Sequence, residues 1–72
     1  MRKRDEIANP QSCLSKAADD EPLFVLRAQD FTAPATILDW LLRNPELPDA
    51  KHDEAIACIE AMEAWHSRKM PD

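Results

Sequence analysis

Apolar positions in this chain recur mainly three and four residues apart, the spacing of a helix with one buried face. The densest apolar patch lies in Asp19-Asp20-Glu21-Pro22-Leu23-Phe24-Val25-Leu26-Arg27-Ala28-Gln29-Asp30. There an acidic, proline-bearing start runs into apolar residues and then into a polar trio, so the core is expected to centre on this stretch. Phe24, Ala28, Phe31, Ala35, Leu38 and Leu42 continue the pattern in steps of four, three, four, three and four. The reading that follows is a helix over about 21–30, begun by the Asp20 cap, a first-turn carboxylate and an early proline. A short strand over 23–28 is the alternative, because Phe24-Val25-Leu26 is rich in strand formers and short apolar runs are ambiguous by period. Such a strand would need a partner, and no other segment reads as one.

The rest of the chain divides at its prolines: Pro10, Pro22, Pro34, Pro45, Pro48 and Pro71. Residues 1–8 carry a single apolar anchor, Ile7, and are expected to be a flexible charged tail. Asn9-Pro10 is read as a cap and first helical position for a helix over about 10–18, with Cys13, Leu14 and Ala17 inside. Thr32 and Pro34 open a third helix carrying Ile37, Leu38, Trp40, Leu41 and Leu42, which ends at Asn44-Pro45. That helix is apolar around most of its circumference, so it is either central to the domain or covered by another chain. Pro45-Glu46-Leu47-Pro48 is a rigid connector. Asp49 then caps a last helix reaching about Arg68, with Ala55, Cys58, Ile59, Met62 and Trp65 inward, Ile56 flanking, and Arg68-Lys69 at its negative end. His66 is expected to meet unpaired carbonyls there. The fold expected is all-α, a small bundle of about four short helices forming a single domain over 9–70, with α+β as the alternative.

Composition narrows the function. With 72 residues, 44% of them hydrophobic and 32% charged, the chain is globular in composition but small enough to have a thin stability margin. Self-association would relieve that. A net charge of −5 repels the phosphate backbone, which argues against nucleic-acid binding and suits a basic partner or imitation of a polyanion. Glycine is absent, which excludes a glycine-rich phosphate loop. No apolar run approaches the ~20 residues needed to cross a bilayer, and Met1-Arg2-Lys3-Arg4 is followed by acids; a cytoplasmic protein is expected, with no membrane partner.

Candidate chemistry is sparse. Cys13 and Cys58 stand 45 positions apart and His52 and His66 stand 14 apart, a poor zinc spacing, so buried free thiols and no metal are expected. No nucleophile and base sit at a motif spacing, and the paired carboxylates are explained as helix-start charges; neither an enzyme nor a cofactor is expected. Arg27, Gln29 and Asp30 interrupt the apolar stripe. Arg27 has a local explanation in pairing with Asp30 or Asp20, as Asp30 has in satisfying open N–H groups before Pro34. The sharper reading makes Arg27 a partner anchor. Trp40 and Trp65 are read first as core, but an exposed one beside Leu41 or Met62 would mark an interface. The partner-binding candidates are thus Arg27, Gln29, Asp30, Trp40, Leu41, Met62 and Trp65.

Ser12-Cys13, Lys16-Ala17-Ala18-Asp19-Asp20-Glu21-Pro22, Phe24-Val25-Leu26-Arg27-Ala28-Gln29-Asp30, Ala33-Pro34, Ile37 and Trp40 together resemble a group of small proteins encoded in phages and prophages of proteobacteria. The resemblance covers about residues 9–42, and Met62, Trp65, Arg68-Lys69 and Pro71-Asp72 resemble that group's tail. No activity, cofactor or catalytic residue is assigned to the group. The implied setting is the cytoplasm of a bacterial host. The expected function is a non-enzymatic accessory protein that binds and inhibits or redirects a bacterial host protein, such as a defence component. Two alternatives remain: an oligomeric small-molecule or nucleotide binder using Arg27, Gln29 or Lys16 between subunits, and a virion structural or assembly factor.

Overall fold

A computed structural model describes residues 1–70; Pro71 and Asp72, which enter the tail resemblance, lie outside the described residues. Over the described residues the chain is a small all-α bundle of four helices: α1 (Lys3–Ala8), α2 (Cys13–Lys16), α3 (Ala33–Leu42) and α4 (Asp49–Glu63). The helices pack as two pairs, α1 against α2 and α3 against α4, and the second pair holds the apolar core.

Residues 3–8 of the expected flexible tail are helical. Asp5 and Glu6 lie in the first turn of α1, where carboxylates complement the dipole, and Ile7 remains exposed. What holds α1 is polar. Ser12, only 7% exposed, donates its hydroxyl to the Glu6 carbonyl at 2.7 Å and accepts the Ser15 N–H at 3.1 Å. Asn9 does not cap a helix; its side-chain oxygen takes the Gln11 N–H at 2.9 Å, forming the local turn that carries Pro10. Consequently α2 starts three residues later than expected, and its expected inner residues Cys13 and Leu14 face solvent, with Ala17 half-buried.

The helix expected over 21–30 does not form, and the alternative strand over 23–28 does not form either among the described residues. The start signal is real: Ala18 N–H reaches Glu21 Oε1 at 3.3 Å while Glu21 N–H reaches the Ala18 carbonyl at 3.0 Å. It closes a turn, and residues 21–27 continue as irregular chain. Phe and Val are mediocre helix formers, so a helix here would need packing to sustain it. Pro34 meanwhile prevents the stripe from running on, having no N–H to offer Asp30. Asp30 instead accepts the Thr32 N–H at 2.8 Å and the Thr32 hydroxyl at 2.7 Å. The expectation that Asp30 serves the open N–H groups before Pro34 therefore holds, whereas pairing with Arg27 does not occur.

α3 begins as expected with Pro34 in its first turn, although the Thr32 side chain makes no cap. Its end is satisfied by Asn44, whose amide donates to the Trp40 carbonyl at 2.7 Å. Leu41, Ala55 and Ile59 are buried together, with Ile37, Leu47 and Ile56 packed around them. Pro48 occupies the cap position of α4, making Asp49 its first helical residue. α4 stops at Glu63, short of Arg68, because the following residues fold back on the turn before α3. Lys69 N–H donates to the Gln29 carbonyl and Phe31 N–H to the Lys69 carbonyl, both at 2.7 Å, making an isolated parallel bridge between Asp30 and Lys69. Arg68 donates to the Phe31 carbonyl at 3.0 Å, and its guanidinium lies 4.8 Å from the Phe31 ring centre. His66 sits beside Trp65, their rings 4.7 Å apart, rather than on helix-end carbonyls.

No described residue has a positive φ and no described peptide bond is cis, so the turns are made entirely in ordinary backbone regions. The architecture is loose for its size. The Cα radius of gyration is 12.9 Å, against about 11 Å for a compact chain of this length. Accessible surface is 6089 Å², against about 4,500 Å² for a compact monomer of the same mass.

Candidate interaction surface

α3 buries only part of its apolar circumference. At about 100° per residue, Pro34, Ile37 and Leu41 lie on one line facing α4, Leu38 and Leu42 flank it on one side, and Trp40 flanks it on the other. Burial follows that wheel: Leu41 is 5% exposed, Trp40 47% and Leu42 73%. The remaining arc is polar, with Thr36 bonded to the Thr32 carbonyl and Arg43 paired with Asp39 at 2.9 Å. An apolar arc thus continues past the helix–helix contact on both sides.

The candidate residues fall into three groups. Leu41 is core and unavailable to a partner. Trp40 and Trp65 are each about half exposed, at 47% and 50%, which corrects the reading of both as interior packing. Met62 is half-buried on α4. Arg27 is exposed and its side chain makes no ion pair among the described residues, while its carbonyl accepts the Asp30 N–H at 2.9 Å. Gln29 and Asp30 are half-buried and committed to the bridge with Lys69 and to Thr32. They build the turn on which Arg68 and Phe31 meet.

The sequence reading missed the exposure of Leu23, Phe24 and Val25. Phe24 is 87% exposed, Val25 72% and Leu23 54%, although this segment was expected to form the core. The signal was present in its strand-forming composition and its lack of a partner strand. Of the cysteines, Cys13 is exposed, against expectation, Cys58 is half-buried, and both thiols are free. No group of three or more His, Cys, Asp or Glu among the described residues is placed to hold a metal ion. An open depression of about 430 Å³ is lined by Arg43, Asn44, Pro45, Glu46, Leu47 and Pro48. These are six consecutive residues, so it is the hollow of one connector rather than a site assembled from distant parts. No helix among the described residues is long and apolar enough to cross a membrane.

No protein-family model matches the chain, and no curated protein or solved structure matches it either.

Proposed function

We propose that this chain is a non-enzymatic phage accessory protein that works by association, binding a bacterial host protein and inhibiting or redirecting it. A component of a host defence system is the class of target in view. The observation that carries the reading is the exposure of Trp40, Leu38 and Leu42 on the two flanks of α3. Large apolar residues left in water on a helix already packed on one face are costly unless another surface covers them. Tryptophan is also enriched among residues that dominate binding energy. The net charge of −5 adds long-range attraction toward a basic partner.

The test is affinity capture from bacterial lysate, followed by binding and activity assays with the purified captured protein. Stoichiometric binding that falls at least tenfold in Trp40→Ala, a loss of about 1.4 kcal/mol, supports the reading when the target's activity also falls on binding. Binding indifferent to both Trp40→Ala and Leu42→Ser overturns it.

A further inference from the structure

We propose that residues 21–27 of two copies of this chain pair as short antiparallel strands across a two-fold axis through Phe24, forming a homodimer. The segment has the parts such pairing needs. Leu23, Phe24 and Val25 are exposed, and the N–H groups of residues 23–28 make no hydrogen bond among the described residues. Phe, Val and Leu tolerate the extended backbone, and Pro22 already biases Glu21 toward it.

The register follows from symmetry. In an antiparallel ladder, hydrogen-bonded and non-bonded pairs alternate, so a two-fold axis must pass through a pair of identical residues. Centring on Leu23 would set Glu21 against the partner's Val25 and Asp20 against the partner's Leu26, placing acids on apolar groups. Centring on Val25 would set Asp20 against the partner's Asp30, a like-charge pair. Centring on Phe24 sets Phe24 against the partner's Phe24, Leu23 against the partner's Val25, Pro22 against the partner's Leu26 and Glu21 against the partner's Arg27. Symmetry makes that ion pair twice. With Phe24 as a non-bonded pair, Pro22 also falls on a non-bonded rung, where its missing N–H would have pointed away from the partner. Leu23 and Val25 then exchange their free backbone groups, and the Arg27 N–H reaches the partner's Glu21 carbonyl.

The free area is sufficient for a second copy, whose self-complementary Glu21 and Arg27 make it the occupant. The chain exposes 6089 Å², roughly 1,500 Å² beyond a compact monomer of its mass, whereas a standard interface removes about 800 Å² from each partner. The strand pair alone is too short to hold a dimer, so the apolar burial around Phe24 carries the association. This surface is separate from the α3 flanks proposed to meet a host protein, and the two proposals can fail independently.

Sedimentation equilibrium over a concentration series is the test. The expected result is a mass rising from 8.2 kDa to twice that value. Arg27→Glu and Glu21→Arg should each weaken dimerisation roughly tenfold, because each change replaces two attractive cross-strand pairs by repulsive ones. Combining them should restore it. Val25→Pro removes a ladder donor on both copies and should abolish the dimer, whereas Trp40→Ala should leave it intact. A monomer at every concentration overturns the proposal, as does a dimer insensitive to Val25→Pro or a double charge variant without rescue.

Discussion

Leu41 and Leu42 are neighbours in sequence with opposite environments, 5% and 73% exposed, and their alanine variants test the packing of α3 directly. Leu41 touches a small cluster formed with Ala55 and Ile59 and bordered by Ile37, Leu47 and Ile56. Truncating a buried leucine costs about 2–5 kcal/mol in general. Here the cluster is thinly covered and can collapse toward the gap, so the low end, about 2–3 kcal/mol, is expected. Leu42→Ala removes mostly hydrated methyl groups and should cost under about 0.5 kcal/mol, partly offset by alanine's better helix propensity. A chain of 72 residues has a total stability of about 4–11 kcal/mol, so Leu41→Ala removes a large fraction. Urea unfolding followed by far-UV circular dichroism, at concentrations below self-association, reads the difference. With a denaturant slope near 1 kcal/mol/M, the two midpoints should separate by about 2 M. Equal losses, or a larger loss for Leu42→Ala, would refute the assignment of the inward face.

Ser12→Ala should cost about 1 kcal/mol through loss of the cap and of the bond to the Glu6 carbonyl; amide exchange confined to α1 and α2 should accelerate, and unchanged protection there would show that the hydroxyl does not hold α1. Arg68→Ala removes the guanidinium from the Phe31 carbonyl and ring, a local loss of about 1–2 kcal/mol. The Phe31 and Lys69 amides should exchange faster while the α3–α4 core is unaffected. Arg68→Lys should rescue only partly, since an ammonium lacks the planar fork. Trp40 and Trp65 should both be quenched readily by acrylamide; strong protection of either in the monomer would contradict its exposure.

The sequence made the second half of the fold readable because its punctuation is chemical and local. Pro34 sets the start of α3, Asn44-Pro45 its end, and Pro48-Asp49 the start of α4. The first half depends on contacts no periodicity reveals. α1 is held by hydroxyls of Ser12 and Ser15 on the Glu6 carbonyl, and the close of the chain by an arginine that reaches a carbonyl 37 residues away. The segment at Phe24 failed for a different reason. Its three-four spacing runs on into that of α3, but spacing reports only which residues would share a face if the backbone wound into a helix. Two weak helix formers and an interrupting Pro34 left that helix without packing. For the surface candidates, the residue types were legible and the burial was not: Trp40, Leu41 and Leu42 are consecutive large side chains on one helix, and their burial separates only when α4 covers one line of the wheel.

The ordinary backbone geometry of every described turn bears on how this molecule can be dissected. Because no described position relies on a left-handed conformation, replacing side chains one at a time with a methyl group does not stumble over hidden main-chain strain. A systematic alanine series, with proline positions set aside, would therefore map side-chain contributions directly, separating residues that hold the bundle from those that meet another molecule.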